Sequence, residues 1–168
     1  MPARPLSLIP DGSNIFIDAN IFVYGLSGQS AQCRYLLERC SREELTGVTL
    51  FETVNEATHR FMLAEAAAKG IIPQISAGHL RKRFKAIATL NDYWQETERI
   101  LNLNLLFIAT DESIIRSAQS ERQRGLLLTN DSMIVACMRN YGISLLATKD
   151  SDFERISGIT VFAPDDVP

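Results

Sequence analysis

Short apolar runs alternate along the chain with longer stretches in which apolar residues recur every three or four positions. The short runs favour buried strands, and the longer periodic stretches favour helices. Strands are predicted at 14–18, 45–50, 103–109, 143–148 and 159–162. Helices are predicted at 31–42, 51–70, 79–102, 112–124 and 130–141, with 20–25 as a short exit segment. This alternation predicts a three-layer α/β/α fold with a central parallel sheet of about five strands.

The chain has 168 residues, a length that suits one domain with a sizeable core. Prolines at positions 2, 5 and 10 predict a flexible N-terminal arm over residues 1–13. The domain itself is predicted to span 14–163, followed by a C-terminal tail at 164–168. The helices on either side of the 70–78 loop are predicted to form a hairpin that projects from the core.

Charge and cysteine content narrow the class of protein. The net charge of -3 argues against a broadly basic nucleic-acid-binding surface, but it leaves room for a local basic groove. Three cysteines without a CxxC pair fit a reduced, cytoplasmic protein better than a disulfide scaffold. No apolar run reaches membrane-spanning length, so we expect no membrane association.

Acidic residues follow three of the apolar runs. Asp18 ends 15–17, Asp150 follows 143–147, and Asp131 follows Leu126-Leu127-Leu128, a run that also favours a buried strand. Ligands bind at the carboxyl edge of parallel sheets, and carboxylates that meet there repel one another unless a cation joins them. Oxygen ligands suit Mg²⁺ or Mn²⁺. The pattern therefore predicts a divalent-metal site, at which a metal could activate water and stabilise charge on a phosphodiester.

Each acid also has a plainer interpretation. Asp18 could hydrogen-bond a loop backbone, Asp131 could cap a helix, and Asp150 and Asp152 could be turn residues. Taken singly, the plainer interpretation of Asp131 and Asp150 is the stronger one. Their joint occurrence at strand exits favours the functional interpretation.

Two glutamates on the predicted helix 51–70 could complete an acidic cluster. Glu52 and Glu56 lie one turn apart, so both project from one face, which could also be a solvated one. The only dense basic cluster is Arg81-Lys82-Arg83 with Lys85. A solvated helix face is its plainer interpretation, and contact with an RNA backbone is the sharper one, for which Arg60 is a further candidate.

Three motifs together resemble the PIN domain family, the metal-dependent nuclease fold of VapC-type toxins. The first is 16–20, Phe-Ile-Asp-Ala-Asn, similar to the family's hydrophobic-Asp-x-Asn start. The second is 131–136, similar to its D-x-x-I-x-A helix, and the third is 148–153, similar to its T-x-D-x-D-F ending. Each motif is weak alone, but the ordered set covers about residues 14–163.

The resemblance implies Mg²⁺- or Mn²⁺-dependent cleavage of RNA. It implies metal binding by Asp18, Asp131 and Asp150, with Asp152 as an extra acid. Asn20 and Thr148 match polar residues near the site. Glu56 fits the family's remaining catalytic acid better, because Glu56-Ala57-Thr58-His59-Arg60 resembles the E-x-x-H-R run of some members. Glu52 fits the shorter strand-to-Glu spacing of other members and is the alternative. Homodimerisation and an antitoxin partner are expected by analogy.

The sequence leaves three other classes of function open, the weakest of which is a phosphotransfer domain with Asp18 as the phosphate acceptor. A structure-specific DNA nuclease could use the same acids. A PIN-like module that binds a protein partner or RNA could retain a weak or vestigial site, although the complete acid set argues against it.

Overall fold

A computed structural model describes residues 2–167, which contain one sheet of six parallel strands. The strands are β1 (Arg4–Pro5), β2 (Asn14–Ile17), β3 (Thr46–Leu50), β4 (Leu105–Ile108), β5 (Leu145–Ala147) and β6 (Thr160–Ala163). Their order across the sheet is β1-β6-β5-β2-β3-β4. The five predicted strands are all present, and β1 is a sixth at one edge.

Helices connect the strands, as parallel pairing requires. They are α1 (Ala19–Leu26), α2 (Ala31–Ser41), α3 (Phe51–Ala68), α4 (Ala77–Lys82), α5 (Asp92–Leu101), α6 (Glu112–Gly125) and α7 (Thr129–Asn140). Short 3₁₀ segments occupy Leu6–Leu8, Phe84–Thr89 and Ser151–Arg155. None of the helices within residues 2–167 combines the length and the apolar character needed to cross a bilayer.

The core lies on both faces of the sheet. Consecutive residues of a strand point to opposite faces, so Ile15 and Ile17 pack with α1, α2 and α3, whereas Phe16 packs with α6 and α7. All three side chains are fully buried. The predicted three-layer α/β/α class is therefore confirmed.

The N-terminal segment differs from the predicted flexible arm. Arg4 and Pro5 pair with Phe162 and Ala163 of β6, and the Leu6 and Ile9 side chains are buried in the core. Prolines at short spacing are typical of loops, but here Pro5 is one of the two residues of an edge strand, a position where proline is tolerated.

A small cluster separate from the main core holds the middle of the chain. It joins α3, α4 and the residues before α5, and its buried members are Leu63, Ala66, Ile72, Leu80 and Leu90. We call the second half of α3, α4, the 3₁₀ segment 84–89 and the first turn of α5 the helical extension. It corresponds to the predicted hairpin.

The single helix predicted over 79–102 is wrong, because the chain breaks into α4, a 3₁₀ segment and α5. The carboxylate of Glu65 accepts hydrogen bonds from the backbone N–H groups of Asn91 and Tyr93, both at 2.9 Å, and so starts a new helix there. Two large apolar side chains of this region, Phe84 and Trp94, are 63% and 49% exposed.

Two further segments depart from prediction. Residues 19–26, which contain the predicted exit segment, form α1. The run Leu126-Leu127-Leu128 is the turn between α6 and α7 rather than a strand, and Leu126 adopts a left-handed conformation with φ 52°. Only Leu127 of the three is buried, so the run is too short and too exposed to join the sheet.

Candidate active site

The carboxyl ends of three adjacent strands bring the predicted acids to one edge of the sheet. Strand β2 lies between β5 and β3. Asp18 directly follows β2, Asp150 follows β5 after two residues, and α3, which carries Glu52 and Glu56, starts directly after β3. This neighbourhood of parallel strand ends is where open α/β sheets bind ligands.

Asp18 is held by a compact hydrogen-bond network. Its Oδ1 accepts from the backbone N–H of Ala19 at 2.7 Å. Its Oδ2 accepts from Asn20 Nδ2 and from Thr148 Oγ1, both at 2.6 Å. The backbone N–H of Lys149 donates to Asn20 Oδ1 at 3.0 Å, so the amide of Asn20 links the exits of β2 and β5. Asn20 and Thr148, which the sequence motifs placed near the site, therefore both bond to Asp18.

Burial controls the charge of Asp18, which is only 7% exposed. The pKa of Asp18 is raised to about 6, mainly by loss of solvent and in smaller part by the negative charge of Glu56. The hydrogen bonds from Thr148 and Ala19 and the positive charge of Arg60 act in the opposite direction. A buried carboxylate with these neighbours is a feature of functional sites more often than of structural ones.

Asp131 lies in the first turn of α7 but does not cap it. The N-cap position is Leu128, and no residue among 2–167 donates a hydrogen bond to the Asp131 carboxylate. Burial raises its pKa, and the charges of Asp150, Glu56 and Asp152 raise it further, while Arg155 lowers it. Helix capping therefore does not explain Asp131, whereas its acidic neighbours place it in one electrostatic group with the strand-exit acids.

Asp150 caps the 3₁₀ segment after β5, and Asp152 lies within it. The Asp150 carboxylate accepts from the backbone N–H of Asp152 at 2.8 Å, so its plainer role as a turn residue holds as well. Asp152 pairs with Arg155 at 2.6 Å. The negative charges of Asp150 and Asp152 also raise the pKa of Asp131, so this turn presents two carboxylates toward α7.

The structure separates the two glutamates of α3. The negative charge of Glu56 raises the pKa of both Asp18 and Asp131, and the Glu56 carboxylate forms an ion pair with Arg60 at 2.8 Å. Both glutamates line a narrow crevice beside Asn130 and Met133 of α7, and the negative charge of Glu52 raises the pKa of Cys137. The Oε2 atom of Glu52 is buried and has no hydrogen-bond partner within residues 2–167. Glu56 is thus the glutamate that the fold brings to the acids.

The predicted RNA-binding residues divide into two groups. Arg60 stands at the acids through its pair with Glu56. Arg81, Lys82 and Arg83 are exposed at the end of α4, in the helical extension and away from the acids.

The acids fit a divalent cation by their chemistry rather than as a preformed cage. Carboxylate oxygens are the ligands that Mg²⁺ and Mn²⁺ prefer. Across residues 2–167, no three acidic, histidine or cysteine side chains stand close enough together to hold an ion as they are placed. Binding would therefore require the side chains of Asp131, Asp150 and Glu56 to turn toward Asp18.

Sequence reasoning missed two basic residues that organise this edge. Arg155 bonds Asp152 and also donates to the backbone carbonyls of Gly125 and Leu126, both at 2.9 Å. It thereby joins the turn that precedes α7 to the segment that carries Asp150. Lys149 Nζ donates to the carbonyls of Pro164 and Val167 at 3.3 and 2.8 Å. The i,i+3 spacing of Asp152 and Arg155 was the one available signal.

Comparison with known families identifies the fold. The PIN domain model matches residues 15–159, so the chain belongs to the PIN domain family. The resemblance stated from the three sequence motifs is therefore confirmed.

Individual relatives agree with this assignment. Ribonuclease VapC6 of Methanocaldococcus jannaschii is 27% identical over 155 residues, which cover 89% of this chain and 96% of the relative.

Solved structures share the fold at lower identity. The VapBC2 complex of Rickettsia felis, bound to a fragment of its promoter DNA, matches with a TM-score of 0.60 and 16% identity, over 90% of this chain and 99% of that one. A toxin–antitoxin complex from Klebsiella pneumoniae matches with a TM-score of 0.57 and 19% identity, over 87% and 95%. VapC20 of Mycobacterium tuberculosis, described as a toxin that cleaves the sarcin–ricin loop, matches with a TM-score of 0.53 and 15% identity, over 83% and 92%.

Proposed function

We propose that this protein is a metal-dependent endoribonuclease that cleaves RNA phosphodiester bonds at the acidic edge of its sheet. The observation that carries the proposal is Asp18, a buried carboxylate at a strand exit whose acidic neighbour Glu56 also acts, together with Asp150, on Asp131. Burying one carboxylate near other acids costs stability. Costs of this kind are concentrated at functional sites.

Asp18, Asp131 and Asp150 would hold Mg²⁺ or Mn²⁺, with Asp152 as an additional ligand and Glu56 completing the catalytic acids. A divalent cation at such a site supplies charge that stabilises the phosphodiester in the transition state and lowers the pKa of water. Because like charges repel, the acids stand apart on their own, and a cation between them would draw them together.

The chain's own residues prepare Asp18 for this role. Two hydrogen bonds, from Asn20 and Thr148, reach one oxygen of the Asp18 carboxylate at 2.6 Å. They hold the side chain in one orientation and favour its ionised form, which is the form that binds a cation. Asn20 is itself fixed by the backbone of Lys149, so the orientation of Asp18 depends on the pairing of β2 with β5.

RNA is the proposed substrate because the relative VapC6 is named a ribonuclease, and VapC20 is described as a toxin that cleaves the sarcin–ricin loop. Arg60 stands beside the acids and could contact a phosphate there. Arg81, Lys82 and Arg83 would contact the RNA farther away. Because two of the matching structures are toxin–antitoxin complexes, we also propose a protein antitoxin as partner. By analogy with the family, we propose a homodimer as the working form and the cytoplasm as the location.

Cleavage of mixed RNA by purified protein, with and without Mn²⁺, tests the nuclease proposal. Asp18→Asn should reduce metal-dependent cleavage by more than about 100-fold, because loss even of residues that support metal ligands costs 10–100-fold. Glu56→Gln should have a similar effect, and Glu52→Gln, one turn away, should stay close to wild type. Circular dichroism would verify that each variant folds.

Full cleavage by Asp18→Asn would refute the proposed site. Equal losses in the two glutamine variants would leave the site but remove the distinction between Glu56 and Glu52. Faster cleavage of a matched DNA strand would instead identify a DNA nuclease. Folded wild-type protein that neither cleaves nucleic acid nor binds Mn²⁺ by calorimetry would indicate a binding module.

A further inference from the structure

The helical extension contains a cavity of about 510 Å³ that the acidic site does not use. We call it the extension cavity. Its walls are Gly70 and Ile71, which follow α3, and residues 82–86, which lead from α4 into the 3₁₀ segment. It is distinct from the crevice that holds Glu52.

The chemistry of this cavity is basic and aromatic. Lys82, Arg83 and Lys85 line it, and no carboxylate does. None of the three cations pairs with an acid of the described part of the chain. Phe84 lies between them in sequence and is 63% exposed. The net charge of the protein is -3, so this group of three cations without acidic partners is a local positive patch. Together with the exposed ring of Phe84, the patch suits an anion that carries flat apolar groups.

The cavity lies just past the C-terminal end of α3, the helix whose first half carries Glu56. Gly70, on the cavity wall, follows this end, and its backbone N–H donates to the carbonyl of Ala67 at 3.0 Å. Arg60 lies one turn after Glu56 on the same helix. At 1.5 Å per residue, Glu56 and Gly70 are roughly 21 Å apart along the helix.

We propose that the extension cavity binds a single-stranded segment of the RNA substrate, several nucleotides away from the bond that is cleaved. Lys82, Arg83 and Lys85 would contact phosphates, and Phe84 would stack on a base. This inference rests on the proposed function for its choice of ligand. A span of roughly 21 Å corresponds to about six stacked nucleotides at 3.4 Å each, and to fewer if the strand is extended.

A single strand fits this cavity better than an acidic peptide does. Single-stranded nucleic acid alternates phosphates with flat bases, and proteins bind it through a basic groove with aromatic side chains for stacking. The order Lys82-Arg83-Phe84-Lys85 offers both groups within four residues. Carboxylates of an acidic peptide would engage the cations but leave the ring of Phe84 without a partner.

Binding of fluorescein-labelled RNA to the full chain, measured by anisotropy without divalent metal, tests the proposal. The oligonucleotides would be about 4 and about 12 nucleotides long, within the range of single-strand site sizes. The double variant Arg83→Ala, Phe84→Ala should bind the longer RNA at least about fivefold more weakly, as loss of one stacked base predicts. In wild type the shorter RNA, which cannot span from the acids to the cavity, should bind more weakly than the longer one. Loss of one phosphate contact should also reduce the slope of log K against log salt by about 0.7.

The chain contains a matched control. Tyr35 and Arg42 form an exposed aromatic–arginine pair at 5.6 Å on and just after α2, which leads into β3 and so ends at the edge of the sheet opposite the acids. The variant Tyr35→Ala, Arg42→Ala should bind both RNAs as wild type does. An equal loss in the two double variants, no loss in the Arg83 variant, or equally tight binding of a polyglutamate peptide would overturn the proposal.

Failure of this inference is separable from failure of the nuclease assignment. Wild-type cleavage with unchanged RNA binding by the Arg83, Phe84 variant would reject the cavity and keep the enzyme. Weakened binding by that variant, in a protein that never cleaves, would keep the cavity as an RNA site and reject the enzyme.

Discussion

Asp18 combines burial with a negative charge, and this combination has a measurable effect on stability. Burial raises the pKa of Asp18 to about 6, whereas the unfolded chain has the ordinary value of 3.8. The folded state therefore binds the proton more tightly than the unfolded state does. The ionised carboxylate destabilises the metal-free fold above pH 6, and this penalty disappears as the pH falls from 6 toward 4.

The prediction is that wild type gains stability relative to Asp18→Asn, by up to about 3 kcal/mol, between pH 7 and pH 4. The asparagine does not titrate, and the other acids titrate in both proteins. Urea unfolding at several pH values, with a chelator present, measures the difference. A difference that stays constant with pH would mean that the Asp18 carboxyl titrates normally.

Individual residues differ in how well the sequence predicts them. The strand-end positions of Asp18 and Asp150 were predicted correctly because the apolar run before each of them forms a buried strand. Asp131 was found through a motif, since the run before it turned out to be an exposed turn. The choice between Glu56 and Glu52 depends on how α3 is rotated against α7, and the i,i+4 spacing of the two residues carries no information about that rotation.

The elements of the sheet were easier to predict than those of the helical extension. Strands and their connecting helices follow from local periodicity. The break between α4 and α5 follows from Glu65, which is 26 residues before Asn91 and binds its backbone. Local helical spacing from Leu80 to Trp94 therefore predicted one continuous helix, because a contact across that separation is invisible in the pattern.

Glu65 should accordingly be important for the helical extension. Although burial opposes its ionisation, hydrogen bonds from Lys69 and from the backbone of Tyr93 and Asn91 lower the pKa of Glu65 to about 2. Glu65→Ala would leave these donors without their acceptor, and we expect it to destabilise the fold by about 2–4 kcal/mol. Chemical denaturation measures the cost, and hydrogen exchange should show faster opening at the start of α5.

Glu98 provides the control at the same scale, because it is an exposed glutamate on α5. Glu98→Ala should change the free energy of unfolding by less than about 0.5 kcal/mol. Because the Glu65 carboxylate is stabilised in the folded state, its contribution should persist above pH 4.5 and be lost as the pH falls toward 2. Equal stability of the two alanine variants at pH 7 would exclude the proposed role of Glu65.

At the scale of the whole molecule, segments on both sides of the family match are part of the folded domain. The PIN domain model covers residues 15–159, yet both ends of the described chain pack onto the domain. The 3₁₀ turn after β1 buries Leu6, which is 3% exposed, in the core beside α2. At the other end, the Asp166 carboxylate accepts from Ser30 Oγ at 2.6 Å and from the backbone of Gln32 at 3.1 Å, at the start of α2. The hydrophobic pattern did not predict the packing of the N-terminal segment, because a strand of two residues is too short to show a period.

The packing of the N-terminal segment can be tested within a single turn of the chain. Leu6 and Leu8 lie in the same 3₁₀ segment, but Leu8 is 61% exposed. Leu6→Ala should destabilise the protein by about 2–4 kcal/mol, as expected for a buried leucine, and Leu8→Ala by less than about 0.5 kcal/mol. Thermal and urea unfolding of the two variants measure this contrast. If residues 1–13 formed a flexible arm, both substitutions would be neutral, because neither side chain would leave a cavity in the core.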